Sequence, residues 1–427
     1  MNISALHKLF LESNTICRDT RKITNNCMFF ALKGENFNGN TFAKTAIEKG
    51  AKYAVVDESE FAINENYILV EDTLITLQQL AKVHRNYLDI KIIALTGSNG
   101  KTTTKELINT VLQKKYNTTA TVGNLNNHIG VPLTLLSMTK DTEIGVVEMG
   151  ANHLNEIKHL CNIANPDYGY ITNFGKAHLE GFGSIEGVIK GKSELYTHLK
   201  DNNKLIFINN EDDTQVKQLD NYNNYYAFGI EQDDKCAITL VDDNPFVISK
   251  FNNTIIKSQL IGTYNFNNIS AAIAIGHYFE VSEIDIRLAI KSYIPENNRS
   301  QVIDKGSNRI ILDAYNANPT SMMAALDNLN NLESRNKTAI LGDMFELGLE
   351  AKQEHKNIAD YAAKLNIDSI YLVGKNFYNA NIESSNVQLF KTFEDLKSAL
   401  LIHNIENSTI LIKGSRGMAL ERILELI

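Results

Sequence analysis

Short apolar runs alternate along the chain with longer segments in which apolar residues recur at helical spacing. Runs that are apolar at consecutive positions are typical of strands buried on both faces of a parallel sheet. Their alternation with helical segments is typical of α/β layers. No repeat with a period of roughly 20 to 50 residues is visible, which excludes solenoids and propellers. The pattern therefore predicts an α/β fold.

The same pattern divides the chain into three predicted domains, which cover residues 1–88, 89–296 and 297–427. In the first domain, "AKYAVVDE" and "NYILVED" are predicted strands, and "QQLAKVHRNYL" is a predicted helix that leads out of it. Pro295 and the asparagine pair of "SYIPENNRSQ" interrupt the periodicity at the second boundary.

The central domain is predicted to be a parallel sheet surrounded by helices. A strand from Ile90 leads into a glycine-rich turn and a helix over about Lys105 to Lys115, and further strands are predicted at "IGVVEMG", "YGYITN" and "KLIFIN". The polar stretch "NNEDDTQVKQLDNYNNYY" is predicted to be a turn-rich surface excursion. "NFNNISAAIAIGHYF" is a predicted buried helix.

The third domain is predicted to be Rossmann-like. Its strands are expected at "RIILDAY", "TAILGD", "SIYLVG" and "TILIKGS", separated by helices near Ser321 to Leu332, Lys352 to Leu365 and Gly417 to Leu426. It contains no GxGxxG, so a dinucleotide is not implied.

Composition narrows the possible partners. With 427 residues, 43% apolar and 22% charged, the chain is typical of globular proteins. The formal net charge of −8 argues against a nucleic-acid or anionic-membrane partner, because these require clustered excess Lys and Arg. No stretch approaches the roughly 18 apolar residues of a membrane span, and the N-terminus lacks a signal-peptide layout. We expect no membrane insertion, a cytoplasmic location and a monomer.

The cysteines indicate neither disulfides nor a zinc site. Cys17, Cys27, Cys161 and Cys236 are far apart and show no CxxC spacing. We expect them to be reduced and structural.

The strongest motif is "TGSNGKTTT", residues 96–104, directly after an apolar run. Its glycines allow backbone N–H groups to surround phosphate oxygens, while Lys101 can reach the β and γ phosphates and Thr102 can bind Mg²⁺. The spacing departs from the general P-loop, since position 95 is Leu rather than Gly. A tight turn with a solvated lysine is the alternative. Because strand, glycines, Lys-Thr and helix come in order, a mononucleotide site is the favoured interpretation.

Two further strands end in residues that suit a metal site. Glu148 ends the strand in "VVEMGANH", and His178 follows "YGYITN" in "FGKAHLEGFGS". Ligands of open α/β folds collect at the carboxyl edge of the sheet, and a carboxylate there suits Mg²⁺. Each residue alone is more often structural. Lys190 and Lys192 follow on a predicted helix, on different faces, and their spacing does not single out either.

Taken together, five segments resemble one family. "TGSNGKTT", "GNLNNHIGVP", "VEMGANH", "NFGKAHLEGFGS" and "DAYNANP", in this order, closely resemble the Mur ligases of peptidoglycan synthesis. The resemblance covers essentially the whole chain. It implies an ATP-dependent amide ligase that joins D-alanyl-D-alanine to UDP-N-acetylmuramoyl-tripeptide through an acyl phosphate.

The resemblance also implies a role for each domain. The first would bind the uridine portion of the substrate, with Thr20, Arg21 and the stretch Ala31 to Gly39 as the matching positions. The central domain would bind ATP, and the third would bring the dipeptide and close over the nucleotide.

Individual residues are implied by the same resemblance. Lys101, His178, Lys192 and Arg299 would be catalytic, and Thr102, Glu148, His178 and Lys192 would hold Mg²⁺, with two ions expected. Lys192, with Lys190 as the nearby competitor, matches a lysine that many members carbamylate. The nucleotide would contact Gly97, Ser98, Asn99, Gly100, Lys101, Thr102, Thr103, Asn265, Asn268, Arg299 and Asp313. Besides Thr20 and Arg21, the substrates would contact Asn127, Tyr315, Asn316, Asn318, Lys413, Ser415 and Arg416.

Two other functions stay open at this stage. A folylpolyglutamate-synthase-like ligase would share the ATP domain and the acyl phosphate, but it lacks the uridine-binding domain that residues 1–88 are expected to form. A P-loop ATPase switch would need the phosphate loop alone and would leave His178, Lys192 and Arg299 unexplained.

Overall fold

The computed structural model describes residues 2–231 and 235–427. They form three α/β units in chain order, each built on its own sheet, as the apolar pattern predicts. The limits of the predicted domains at residues 88/89 and 296/297 stay predictions.

The first unit is a parallel four-stranded sheet in the order β1-β2-β5-β6 with helices against it. Both predicted strands and the predicted exit helix are present, as β5, β6 and α3. The elements are α1 (Ile3–Leu11), β1 (Ile16–Cys17), β2 (Met28–Phe30), β3 (Lys33–Gly34), β4 (Phe37–Asn38), a 3-10 helix (Gly39–Phe42), α2 (Ala43–Glu48), β5 (Tyr53–Val56), a 3-10 helix (Ser59–Phe61), β6 (Tyr67–Leu69) and α3 (Thr73–Leu88).

The central unit is a parallel six-stranded sheet followed by a three-stranded antiparallel sheet. The parallel order is β12-β11-β10-β7-β9-β8 and the antiparallel order is β13-β14-β15. The elements are β7 (Lys91–Thr96), α4 (Lys101–Leu112), β8 (Thr118–Ala120), α5 (Gly130–Leu136), β9 (Ile144–Glu148), α6 (Glu156–Ala164), β10 (Tyr168–Ile171), α7 (Leu179–Phe182), α8 (Ile185–Asp201), β11 (Leu205–Asn209), α9 (Asp213–Leu219), β12 (Tyr225–Phe228), β13 (Ile238–Asp242), β14 (Phe246–Phe251), β15 (Thr254–Ile261), α10 (Tyr264–Tyr278) and α11 (Glu283–Ser292).

The third unit is a six-stranded sheet in the order β16-β17-β21-β18-β19-β20, parallel except for β16. The elements are β16 (Gln301–Lys305), β17 (Asn308–Asp313), α12 (Pro319–Asn331), β18 (Lys337–Gly342), a 3-10 helix (Gly348–Glu350), α13 (Ala351–Ala362), β19 (Ser369–Val373), α14 (Lys375–Tyr378), β20 (Val387–Phe390), α15 (Phe393–Ile402), β21 (Thr409–Lys413) and two 3-10 helices (Arg416–Met418 and Leu420–Glu425).

The order of the central sheet determines where the site lies. Strand β7 pairs with β10 on one side and with β9 on the other, all parallel. The segments that follow these three strands therefore leave the same edge of the sheet. Burial of β7 and β9 on both faces, with Ile92, Leu95 and Val147 fully inaccessible, anchors that edge.

A buried arginine ties the first unit to the central one. Helix α3 packs against α5 and α6, and Arg85 near its end donates from Nε to the carbonyl of Ala164 (3.1 Å) and from Nη2 to Asp167 (2.8 Å). Asp167 also pairs with Lys204 (2.7 Å). A buried guanidinium that lost these partners would be costly, so these contacts stabilise the observed arrangement of the two units.

Some predicted elements differ from the structure. Helix α4 begins at Lys101, earlier than predicted. The polar stretch expected to be a surface excursion contains α9 and the edge strand β12. The antiparallel strands β13 to β15 and strands β16 and β20 were not predicted. The segment Gly417 to Leu426, predicted as one helix, forms short 3-10 turns instead.

The cysteines and the helices of the described residues each have a property that bears on the sequence analysis. All four cysteines are buried and none is in a disulfide among the described residues, as expected of reduced structural residues. Within residues 2–231 and 235–427, no helix is long and apolar enough to cross a membrane.

Candidate functional site

A cavity of about 880 Å³ lies at the carboxyl edge of the central sheet, between the central and third units. Gln78 of α3 also borders it. The predicted site residues that line this cavity are Ser98, Asn99, Gly100, Lys101, Thr102, Thr103, Asn127, Glu148, His178, Asn265, Asn268, Arg299, Asp313, Tyr315, Asn316, Asn318 and Lys413. Residues nearly 320 positions apart along the chain are thus brought together.

We call the turn within residues 96–104 the phosphate loop. At two of its positions the backbone adopts a conformation that favours glycine. Gly97 has a φ of +142°, and a Cβ there would lie 2.0 Å from Oγ1 of Thr172. Gly100 has a φ of +79° and is the N-cap of α4. The loop therefore packs against the segment after β10 and directs the N-terminus of α4 at the cavity, where backbone N–H groups favour an anion.

Asn173 holds the tip of this loop. Its backbone carbonyl accepts from N of Ser98 and its Oδ1 accepts from N of Asn99, both at 3.0 Å. Its side-chain amide donates to the carbonyl of Asn99 (3.0 Å). The loop is consequently preorganised by residues of the neighbouring strand's exit segment.

Lys101 is a half-buried lysine inside the loop. Its Nζ donates to the carbonyls of Gly97 (2.7 Å) and Ser98 (3.1 Å). Burial lowers its pKa to about 8, while Glu148 opposes and Arg299 reinforces that shift. Because desolvation and a nearby like charge both disfavour the ammonium, an anion bound here would relieve both.

Glu148 has the arrangement that a hard cation needs. Its Oε1 accepts from Nδ2 of Asn126 (2.7 Å) and lies 3.3 Å from the hydroxyl of Thr102. Its Oε2 is buried without a hydrogen-bond partner. Buried carboxylate oxygens are rarely left unpaired, and Mg²⁺ is usually held by one or two carboxylates plus substrate phosphates. The residues therefore fit Mg²⁺, although the described part of the chain contains no group of three or more His, Cys, Asp and Glu able to hold a metal ion.

His178 also borders the cavity and pairs with the third unit. Its Nδ1 bonds Oε2 of Glu346, and the hydrogen bond from His178 lowers the pKa of the Glu346 carboxyl. His178 itself has a φ of +52°, which is unusual for a residue with a side chain. Its imidazole is thus held through Nδ1 by a carboxylate of the third unit.

Lys192, a predicted metal ligand, does not line the cavity. Its side chain is fully buried in α8 and donates to the carbonyl of Ala151 (2.8 Å), whereas Lys190 is exposed. Burial and then the charge of Lys101 hold the pKa of Lys192 well below its usual range. A buried amine with a lowered pKa is a nucleophile in its neutral form, and Lys192 is such a buried amine.

The two predicted nucleotide-binding asparagines are engaged with the protein. Asn268 accepts from the hydroxyl of Thr104 (3.0 Å) and donates to Asn265 (2.8 Å), which donates to the carbonyl of Ile261 (2.8 Å). They brace α10 against α4 beside the cavity. Tyr264 is half-buried, and its hydroxyl bonds Ser300 (2.8 Å).

The third unit supplies charged groups to the opposite wall. The guanidinium of Arg299 stacks on the ring of Tyr315 at 3.6 Å, with its Nε buried and unpaired. Lys413 donates to Asp313 (2.5 Å) and to the carbonyl of Asn316 (3.3 Å). The cation of Lys413 and the carboxylate of Asp313 therefore lie side by side in the wall of the cavity.

The other predicted residues lie away from the cavity surface. Gly97 belongs to the phosphate loop but does not line the cavity. Ser415 is buried and accepts from N of Phe345 (2.9 Å), and Arg416 is exposed and paired with Glu421 (3.0 Å). In the first unit, the carbonyl of Thr20 accepts from Lys49 and exposed Arg21 pairs with Asp19 (2.8 Å).

Three residues with contacts at the site were not singled out from the sequence. Asn126 lies in the quoted segment "GNLNNHIGVP" and Asn173 in "NFGKAHLEGFGS", so position within those segments was the available signal. Glu346 had none, because it lies in the third unit and contacts His178 across 168 positions.

Three family models together cover most of the chain. The Mur ligase family catalytic domain matches residues 13–85, the Mur ligase middle domain residues 95–276, and the Mur ligase glutamate ligase domain residues 298–416. The chain belongs to the Mur ligase family.

Individual members of the family are similar over nearly full length. This Mur ligase is 37% identical to the UDP-N-acetylmuramoyl-tripeptide--D-alanyl-D-alanine ligase of Bacillus subtilis, over 96% of this chain and 92% of that protein. The crystal structure of MurF from Acinetobacter baumannii matches with a TM-score of 0.87 and 29% identity, over 99% and 98% of the two chains. MurF from Thermotoga maritima in complex with ADP matches with a TM-score of 0.84 and 27% identity, over 98% and 97%.

Proposed function

We propose that this Mur ligase joins D-alanyl-D-alanine to the terminal carboxylate of UDP-N-acetylmuramoyl-tripeptide with ATP. The observation that carries the proposal is the convergence of the phosphate loop, Glu148 and the cations of the third unit on one cavity. Full-length similarity to a ligase named for this reaction and to a structure in complex with ADP supports the choice of substrates and of ATP.

The chain's own residues account for the first step. The N-terminus of α4 and Lys101 bind the phosphates, and Arg299 meets the γ-phosphate from the third unit. The carboxylate of the tripeptide attacks the γ-phosphorus, and ADP leaves as an acyl phosphate forms. Cations aimed at the transferring phosphoryl group stabilise the charge that develops on its oxygens.

The same cavity serves the second step. The amine of the dipeptide attacks the acyl carbonyl, a tetrahedral intermediate forms, and inorganic phosphate leaves as the amide bond closes. Asp313 would hold the ribose, while Tyr315, Asn316, Asn318 and Lys413 would receive the dipeptide. The wall formed by the third unit excludes water, which protects the acyl phosphate from hydrolysis.

Glu148 and Thr102 would hold Mg²⁺, with His178 as a further ligand for one of two ions. The metal, when bound, supplies Lewis-acid charge to the phosphoryl oxygens. We also propose that Lys192 is the lysine that reacts with CO₂, because burial of its amine and the lowered pKa favour the neutral form that carbamate formation requires. Bicarbonate-dependent activity that Lys192→Ala loses and Lys190→Ala retains would support this assignment.

The remaining proposals concern the first unit and the setting. We propose that the segment of Thr20 and Arg21 binds the uridine portion, that Asn127 contacts the same substrate, and that the enzyme works as a monomer. ATP and UDP-linked precursors are cytoplasmic metabolites, and we propose the same location for the enzyme.

The test is phosphate release from Mg²⁺ and ATP by the purified protein, with each acceptor omitted in turn. We expect release that requires both UDP-N-acetylmuramoyl-tripeptide and D-alanyl-D-alanine and that Lys101→Ala abolishes. Release without the UDP-linked peptide would contradict the proposal and favour a folate-type ligase. Release stimulated only by a protein partner would favour an ATPase switch.

A further inference from the structure

Glu346 reaches from the third unit into the central one. It lies in the segment between β18 and α13, and its backbone carbonyl accepts from N of Glu180 (3.1 Å). Its side-chain Oε2 bonds Nδ1 of His178. The carboxylate and the imidazole thus come from different units, and a second hydrogen bond fixes the backbone beside them.

The contact decides which nitrogen of His178 is free. A carboxylate only accepts hydrogen bonds, so Nδ1 carries the hydrogen of this pair and Nε2 is the ring atom left for a ligand. The side chain of His178 is 17% exposed and borders the same cavity as Glu148 and Lys101. Such a carboxylate–histidine pair is the arrangement that orients ligating histidines in metal sites.

We propose that Glu346 is a positioning residue that orients His178 toward a divalent cation in the cavity. The inference rests on the proposed function, which assigns His178 to Mg²⁺. Because Glu346 belongs to the third unit, His178 acquires this orientation only when that unit is docked on the central one. Docking of the third unit and cation binding are consequently coupled through one side-chain pair.

A purely mechanical clamp between the units is the competing explanation, and the chain offers a matched control for it. Lys176, two residues before His178, pairs with Glu354 of α13 at 2.7 Å between the same two units, and neither residue lines the cavity. If both pairs only clamp the units together, loss of Glu346 and loss of Glu354 should have the same effect on cation binding. A positioning role would make only Glu346 matter for the cation.

The experiment compares Glu346→Gln and Glu354→Gln in the full-length protein. Binding of Mn²⁺ in the presence of ADP is followed by the loss of the free-ion electron paramagnetic resonance signal. We expect Glu346→Gln to weaken Mn²⁺ binding by about 10- to 100-fold, the usual cost of losing a partner behind a metal ligand. Glu354→Gln should bind Mn²⁺ as the wild type does.

A double-mutant cycle adds a second measurement. If Glu346 acts through His178, Glu346→Gln has no further effect on Mn²⁺ binding in a His178→Ala background. Equal losses in the Glu346 and Glu354 variants, an unchanged Glu346 variant, or additive losses in the cycle would each overturn the inference. The assay needs neither acceptor substrate, so a failure of D-alanyl-D-alanine ligation would leave its result readable and would count against the proposed function alone.

Discussion

The side-chain amide of Asn318 donates a 2.7 Å hydrogen bond to Oδ1 of Asn99. The first residue caps α12 in the third unit, where its Oδ1 accepts from N of Ser321 (2.9 Å), and the second lies in the phosphate loop. One asparagine therefore joins the start of a helix to the nucleotide site of another unit.

Two substitutions of Asn318 separate these contacts. Serine retains the capping oxygen but cannot donate to Asn99, whereas alanine loses both. We expect Asn318→Ser to reduce kcat/KM for ATP with little change in Tm. Asn318→Ala should reduce kcat/KM for ATP to the same extent. It should also lower the free energy of unfolding by about 1 kcal/mol, the usual contribution of an N-cap. Equal Tm values and full activity in the serine variant would contradict this.

Lys101 predicts a pH dependence of ATP binding. Its pKa is lowered to about 8, so its charge is lost as the pH rises through that value in the free enzyme. We expect kcat/KM for ATP to fall above about pH 8, because this parameter reports groups of the free enzyme. Lys101→Arg keeps its charge, and any activity it retains should lack this decline. A wild-type profile that stays flat through the alkaline range would contradict the assignment.

Gly97 predicts a steric effect on the phosphate loop. A Cβ at this position meets Oγ1 of Thr172 at 2.0 Å and its backbone N at 3.0 Å. We expect Gly97→Ala to abolish ATP binding and to lower the free energy of unfolding by more than the roughly 1–2 kcal/mol of a left-handed backbone alone. Gly306→Ala is the control, since its φ is +59° and no atom lies within 4 Å of its Cβ. Urea unfolding and ADP titration of both variants measure the difference.

A pair of buried histidines predicts acid destabilisation. Nε2 of His84 donates to the carbonyl of Met138 (2.9 Å), so its Nδ1 accepts from Nε2 of His7 (3.1 Å). Burial lowers the pKa of both, and His84 lowers that of His7 further. The unfolded chain therefore binds more protons below about pH 6.5, and stability falls as the pH decreases through that value.

Thermal unfolding at a series of pH values tests this pair. In His7→Phe, one of the two titrating groups is gone while an aromatic ring remains against Phe10 and Tyr87. We expect a smaller loss of Tm between neutral and mildly acidic pH in this variant. An identical loss in both proteins would show that other groups cause it.

Strong local patterns made much of the fold predictable. Strands β7, β9, β10 and β11 are apolar at consecutive positions because both of their faces are covered, and each was predicted. The edge strand β12 was missed, since Tyr225 and Tyr226 are only half-buried and end a polar stretch. Strands β13 to β15 form their own antiparallel sheet, and the strand signal used for the parallel sheet did not reveal them.

The candidate site shows a similar division. Glycines, Lys101 and Thr102 follow one another in sequence, so their chemistry is visible before folding. The choice between Lys190 and Lys192 depends on burial, which periodicity alone did not decide. The contact of Glu346 with His178 depends on how the third unit docks, and no local pattern encodes that.

Arg85 has a consequence for substrate choice. By joining α3 to Ala164 and Asp167, it stabilises the observed span between the proposed uridine segment and the phosphate loop. A sugar nucleotide held at its uridine end must bridge that span for its carboxylate to reach the γ-phosphate. A donor with too short a peptide would occupy the enzyme without being activated. With the uridine portion bound at the proposed segment, the contacts of Arg85 would make the first two units select donors by length.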